Sequence, residues 1–253
     1  MSLFRLSFTT LLARKTFAVF VVLLLVAPVM LPLITPHEMR PSLLEPARAQ
    51  TAWMVLWVVA LGWVFFQGAS LGDRWASHGV LEYLRTLGSG PLAQLGQVWL
   101  SCVVYFLVFL AVALGICLFT AMPAHPEESK MWIATNFQYA FLCFLVVGPL
   151  LLLAIALGTR LNAAAAYVIT LGLAAYGLFG ISHLNFFLSQ SGSPFLDFLY
   201  VISPHFHLAE MTPRLYFKLG ALSAESFGQV SLYLGGLGAV ITGVSMLLFR
   251  SKK

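Results

Sequence analysis

Six apolar runs of about twenty residues, separated by proline, glycine or charge, constrain this chain more than any other feature of its sequence. They fall at about 16–34, 51–71, 98–119, 132–157, 163–181 and 230–249. A helix of that length crosses the hydrocarbon core of a bilayer, and no water there competes for its backbone groups. The alternating ten-residue segments of an outer-membrane barrel are not present. With 60% hydrophobic and only 9% charged residues, and a mean hydropathy of +0.91, the chain lies far from soluble domains, in which about 25% of residues are charged. The expected fold is an all-α, polytopic, single-domain membrane protein of six transmembrane helices over residues 1–253.

Charge orients it. Six spans put both termini on one side, which then holds Arg5, Arg14, Lys15, Arg74, Arg85, Arg160, Arg250, Lys252 and Lys253. The other side holds Arg40, Arg48, Lys130, Arg214 and Lys218. The excess places both termini in the cytoplasm, with the chain in the inner (cytoplasmic) membrane. The net charge of +5 therefore reads as an orientation signal. No basic patch interleaved with exposed aromatics suggests nucleic-acid binding.

The first fifteen residues alternate Leu3, Phe4, Leu6, Phe8, Leu11 and Leu12 with basic residues, the pattern of an amphipathic helix at the interface. Pro28 and Pro32 are expected to kink or end the first span, and residues 35–50 to form a polar outer loop. Trp53 and Trp57 read as an interfacial aromatic belt. Gly148-Pro149 predicts a bend in span four. The segment 183–227 is too polar to span and too apolar for an ordinary loop, so short re-entrant or interfacial helices are expected there. Gly235, Ala239 and Gly243 recur every fourth residue of span six, a small-residue stripe for packing a helix or a second copy.

Residues 71–99 form the longest polar-tolerant connection on the cytoplasmic side. Val80, Leu84 and Leu87 lie at i, i+4 and i+7, while Arg74, Glu82 and Arg85 stay wet, so a short amphipathic helix is expected. Gly88-Ser89-Gly90-Pro91 then ends it and starts the next span. From periodicity alone, such a helix serves equally to cap the membrane face or to dock a partner.

The sequence Asp73-Arg74-Trp75-Ala76-Ser77-His78-Gly79-Val80-Leu81-Glu82-Tyr83-Leu84, followed by Gly90-Pro91, resembles the pattern of the type-2 export permeases of ATP-binding-cassette (ABC) transporters. That pattern is an acidic residue, a glycine, Leu-Glu-x-Leu and a proline turn. The six-span layout resembles the family over essentially the whole chain. Val80 stands where the family usually has threonine or serine, and Gln97 where it usually has lysine. The resemblance implies a coupling helix between spans two and three, contacting an ABC ATPase subunit through Asp73, Arg74, Glu82, Tyr83, Leu84 and Arg85. It implies a second permease copy or paralogue, and export by alternating access with no covalent chemistry on this chain. No G-x-x-x-x-G-K-[ST] phosphate loop is present, so ATP and Mg belong to the partner ATPase and this chain carries no cofactor of its own.

His183, His205 and His207 are candidate ligand groups on the outer side. Spacing of i and i+2 lets His205 and His207 meet one metal or haem in a strand or irregular turn, not in a helix. Some relatives in the resembled family serve haem export or copper-enzyme maturation, which is one alternative reading. An intramembrane enzyme is the alternative from another class. Against it, the chain has no G-x-S-x-G, no H-E-x-x-H and no aspartate pair within spans, and the adjacent Ser182 and His183 cannot face one site on a helix. Cys102, Cys117 and Cys143 sit inside apolar runs with no metal-ligand spacing. Cysteines introduced at Ser77 and at Ser191 are expected to react with a membrane-impermeant thiol reagent from opposite faces of sealed vesicles. Labelling of both from the same face would overturn the span count.

Overall fold

The computed structural model describes residues 2–34 and 41–249, and every element among them is helical. His37, Glu38 and Arg40 of the expected outer loop, and the basic residues Arg250, Lys252 and Lys253, lie outside the described residues. Five helical segments are long and apolar enough to cross a membrane: Leu44–Ser77, Pro91–Phe119, Pro126–Gly158, Ala163–Gln190 and Ala224–Leu248. A sixth is reached when Leu3–Ala13 and Thr16–Leu31, bent by 65° from each other, count as one.

Helix α1 (Leu3–Ala13) starts at Ser2, whose Oγ accepts from the Arg5 amide. Its buried residues Leu3, Ser7 and Leu11 share one face. That face packs on the chain as well as fitting an interface: Gln97 Oε1 accepts from the Phe4 amide at 3.2 Å, and Tyr105 Oη donates to the Phe8 carbonyl at 3.0 Å. The Trp75 indole donates to Ser7 Oγ, and Arg14 donates to Gln67. Helix α2 (Thr16–Ile34) runs through Pro28 rather than breaking there. Its surface is apolar, with Val19, Val22 and Met30 uncovered.

Span two is much longer than its apolar run. Helix α3 (Pro41–Val59) leads through one π turn (Ala60–Val64) into α4 (Phe65–Ser77). Residues 41–50 are thus helix, not loop: Ala47 and Ala49 are buried, so tertiary packing outweighs the polar composition that suggested a loop. Trp53 and Trp57 are not an interfacial belt either. Trp53 lies flat on Tyr139 with ring centroids 4.0 Å apart and donates to Asn136 Oδ1, while Trp57 donates to Tyr139 Oη. Both indoles are buried, and each N–H has a partner inside the protein.

Helix α5 (Val80–Thr86) is followed by α6 (Pro91–Phe119) and α7 (Pro126–Gly158). Helix α7 is central: 72% of its most apolar window is buried by the rest of the chain, against 22% for α12 (Ala224–Leu248). Helix α8 (Ala163–Ala175) continues through a second π turn (Tyr176–Gly180) into α9 (Ile181–Ser191). The connection to α12 holds α10 (Pro194–Ile202), a 3-10 turn (Phe206–Ala209) and α11 (Thr212–Tyr216), the short helices expected of this segment. Helix α12 meets α7 through Leu234, Gly238, Ile241 and Ser245, with Gly238 against Pro149. The Gly235, Ala239 and Gly243 stripe is offset from that face, with open space around both glycines. Gly235 lines a lateral cavity of about 300 Å³ with Trp99, Phe144 and Leu152.

Helix α4 crosses α7 with the two backbones in close approach. A Cβ on Gly72 would stand 2.2 Å from the Ile155 carbonyl oxygen, and one on Gly158 would stand 2.4 Å from that of Ala69. A Cβ on Gly68 would meet Leu151 Cδ1 at 2.6 Å. Gly68 and Gly72 form the G-x-x-x-G spacing that lets membrane helices approach backbone to backbone. The Gly72→Ala variant is therefore expected to lose roughly 1–3 kcal/mol or more through overpacking. Gly115→Ala, in α6 with nothing within 4 Å of the added carbon, is expected to be neutral or to gain up to about 1 kcal/mol. Thermal unfolding of the detergent-solubilised variants compares the two.

Candidate functional site

The connection between α4 and α6 is built on a sharp reversal. Gly79 adopts φ +70°, a left-handed conformation that glycine tolerates without a Cβ penalty, and separates α4 from α5. His78 Nδ1 meets the Arg74 carbonyl at 2.8 Å, closing the end of α4. Gly88, at φ +86°, ends α5, and Pro91 opens α6. Gln94 Nε2 donates to the Leu81 and Ser89 carbonyls, each at 3.0 Å, and so ties α5 to the first turn of α6.

This anchoring gives α5 two unlike faces. Leu81 is buried, and Val80 and Leu84 pack against the core beside it. Tyr83 and Leu87, one turn apart, are 64% and 66% exposed, and Leu92 at the start of α6 is exposed as well. Glu82 and Arg85 are exposed beside them. The expected apolar stripe of Val80, Leu84 and Leu87 is therefore divided. Its first two members hold the helix down, and Leu87 joins Tyr83 on the outward face. Leu81, not singled out by the periodicity, is the residue that anchors the helix.

Two of the six expected contact residues lie on α4. The Arg74 guanidinium lies 5.6 Å from the Trp75 ring centroid, within cation–π range. Asp73 is turned into the protein: its Oδ2 accepts from the Ala163 amide at 3.1 Å, and its Oδ1 accepts from Ser77 Oγ. It thus satisfies a first-turn N–H of α8, beside Asn162, whose side chain accepts from the Ala165 amide. The turn before α8 makes a further tie, since Arg160 Nε donates to the Leu248 carbonyl at the end of α12 at 2.6 Å. Asp73, Arg14 and Arg160 join α1, α4, α8 and α12 at the end of the molecule that carries α5.

The opposite end holds the three candidate ligand histidines, and here the structure brings together two of them. His205 and His207 flank Phe206 in the 3-10 turn, with ring centroids 5.4 Å apart. His183 lies in α9 with Nδ1 at 3.1 Å from the Phe179 carbonyl of its own helix. Among the described residues no group of three or more His, Cys, Asp or Glu side chains is placed to hold a metal ion. Burial, and secondarily the neighbouring His205, lowers the pKa of His207 and favours its neutral form.

Around this end the polar groups are tied in a dense set. Tyr139 Oη accepts from the Trp57 indole and donates to Glu210 Oε1 at 3.0 Å, with Thr212 Oγ1 at 2.9 Å. Gln138 both accepts from the Leu222 amide and donates to its carbonyl. Glu128 pairs with Lys218 at 2.8 Å. Gln67, Asn136 and Gln138, the strongly polar side chains within the expected spans, thus all have partners inside the chain.

Removing the cap at Asp73 is expected to destabilise the protein by about 0.5–2 kcal/mol in Asp73→Ala. Asp73→Asn, whose amide oxygen still accepts from the Ala163 amide, is expected to keep most of that stability, as judged by thermal unfolding. Equal losses in both variants would mean that the negative charge, not the acceptor, is what matters. Compared with known protein families, with curated proteins and with solved structures, the chain finds no match.

Proposed function

We propose that the chain is the membrane-spanning permease subunit of an ABC exporter, coupled to a separate ATPase subunit through the outward face of α5. The observation that carries this reading is the division of α5 into an anchored side and an exposed aromatic-aliphatic pair. Tyr83 on the seven-residue helix and Leu87 at its C-terminal cap stand uncovered, and the helix is held by Leu81 and by the two hydrogen bonds from Gln94. A rigid apolar pair with a rim of Glu82 and Arg85 has the anatomy of a small interface anchor, in which a few large side chains carry most of the binding energy. The resemblance of residues 73–84 to the coupling segment of type-2 export permeases supports the same assignment.

In this reading ATP and Mg bind the partner, two permease chains form the transport unit, and both termini and α5 face the cytoplasm. The contact set is revised by the geometry. Tyr83, Leu87, Glu82, Arg85 and Arg74 face the partner, Leu84 supports the helix from beneath, and Asp73 acts through α8. Movement of the ATPase subunits then displaces α5 and, with it, the α4–α7–α8 block to which it is attached.

The test is the ATPase activity of the complex purified from its native membrane through a tag on this chain. Leu87→Asp and Tyr83→Asp are expected to reduce co-purified ATPase subunit and ATP hydrolysis by at least about tenfold, the effect of losing a central interface anchor of about 1.4 kcal/mol or more. Leu219→Asp, an equally exposed apolar position at the other end, is expected to leave both unchanged. Purified chain that carries no phosphate-loop ATPase, or a Leu87→Asp complex as active as the parent, would sink the proposal.

A further inference from the structure

The lateral cavity beside α12 has the dimensions of one hydrocarbon chain. It holds about 300 Å³ between α6, α7 and α12. At about 1.5 Å per residue, Phe144 and Leu152 on its α7 wall lie about 12 Å apart along the axis, and Gly235 and Thr242 on its α12 wall about 10 Å apart. A volume of about 300 Å³ over that length leaves a mean section of about 25 Å². A helix is about 10 Å across and does not enter such a slot. A single extended chain does, since the volume takes about ten methylene groups at about 30 Å³ each, close to the share of one molecule in liquid water.

The lining does not hold water. The Trp99 indole N–H is taken by the Gly148 carbonyl at 2.8 Å, so that ring keeps no unpaired donor. Beyond it, Thr242 carries the only polar side chain of the lining, and a buried water needs about two to four polar partners. An apolar cavity of about 150 Å³ stays dry and takes up benzene. Glycine shapes the α12 wall: a Cβ on Gly238 would stand 2.9 Å from Pro149 Cγ, whereas one on Gly235 has nothing within 4 Å. The two helices touch at Gly238 and leave the slot beside Gly235.

Leu152 and Thr242 each lie about 9 Å from the end of their helix, at Gly158 and Leu248. Those ends are on the α5 side, where Arg160 donates to the Leu248 carbonyl. The cavity is therefore level with the acyl chains of the leaflet on that side, in a hydrocarbon core about 30 Å thick. Leu100 of α6, and Gly236 and Ala239 of α12, are exposed next to lining residues, so the surrounding solvent is lipid. An empty cavity forfeits dispersion contacts for every atom that lines it, and a chain entering from the adjacent leaflet restores them. We propose that one acyl chain of a membrane phospholipid, from the leaflet on the α5 side, is bound in this cavity along the helix axes. The chain completes the seat of α12, whose most apolar window is only 22% buried by protein. The site is independent of the ATPase subunit proposed to dock on α5.

The test uses the full-length chain in nanodiscs of a phosphatidylcholine that carries a diazirine at mid-chain. After irradiation, peptide mass spectrometry is expected to find residues 144–152 and 235–242 labelled at least about tenfold above Val19, Val22 and Met30, exposed positions of α2 that meet only exchanging lipid. Native mass spectrometry of the parent after exchange into detergent is expected to find one phospholipid per chain. Gly235→Phe puts a ring into the open space and is expected to lower both cavity label and retained lipid at least about tenfold, with α2 labelling unchanged. Gly115→Phe, also in open space but away from the cavity, is expected to retain lipid as the parent does. Gly235→Cys is expected to stay monomeric on oxidation. The two measurements on the parent decide the proposal even where Gly235→Phe does not fold. Equal labelling of α2 and the cavity, no phospholipid retained by the parent, undiminished retention in Gly235→Phe, or a disulfide between two Gly235→Cys chains, which would put a second copy over the cavity, would each overturn it.

Discussion

The rest of the structure depends on the backbone contact between α4 and α7. Lipid does not drive helices together as water does, so membrane helices associate through van der Waals packing and hydrogen bonds. At Gly68, Gly72 and Gly158 the two backbones approach so closely that a single added methyl group would overlap a carbonyl or a leucine side chain. This approach puts Asp73 within reach of the first turn of α8. It also fixes where α4 ends, and therefore where α5 leaves the bundle. The amphipathic helix is only as well placed as that crossing.

Polar side chains supply the second constraint, and they do so without charge at the span centres. Trp53, Trp57, Asn136 and Tyr139 form a connected set between α3 and α7, extended by Glu210 and Thr212 from the capping segment. Each bond satisfies a group whose burial alone would cost more than the bond returns in net stability. The value of the set is therefore in fixing geometry. A capping segment that touched the bundle only through apolar side chains could slide, whereas one held by directional bonds to Tyr139 has a single seat.

The all-helical class and the apolar segments were legible because hydropathy and length report directly on what a bilayer tolerates. What could not be read were the faces. Gly68 and Gly72 carry the same spacing as the stripe in span six, yet the pair in α4 makes the close crossing while Gly235 and Gly243 have open space around them. Spacing announces that a close approach is possible, and only the partner decides whether it occurs. The same holds for Trp53 and Trp57, whose position near the end of an apolar run fits an interfacial belt or a buried cluster equally well. It holds also for the short helix, where periodicity grouped Val80, Leu84 and Leu87 but packing against α6 gave the buried place to Leu81. For the candidate histidines, the i, i+2 spacing brings the His205 and His207 rings to 5.4 Å from each other, and His183 stays on α9.

The two ends of the molecule are joined by one helical rod. From Leu44 to Ser77 the chain runs without a non-helical break, the π turn at Ala60–Val64 being its only departure from α geometry. Trp53 and Trp57 near one end bear on the Tyr139 set, and Gly72 and Asp73 near the other bear on α7 and α8. A π turn adds a residue to the helix without releasing it, and such turns are often found at functional sites. Here the turn also carries Trp63, whose indole donates to Thr16 Oγ1 at the start of α2. A force applied at α5 acts first on α4 through the Gly79 reversal, and α4 is held to α7 too closely to slip. Displacement is therefore shared by α4, α7 and α8, and reaches the capping segment through Tyr139 on α7 and the indoles on α3. A partner docked on Tyr83 and Leu87, as proposed, would push on a mechanically continuous path, and the packing assigns that path to the central helices rather than to α12 at the periphery.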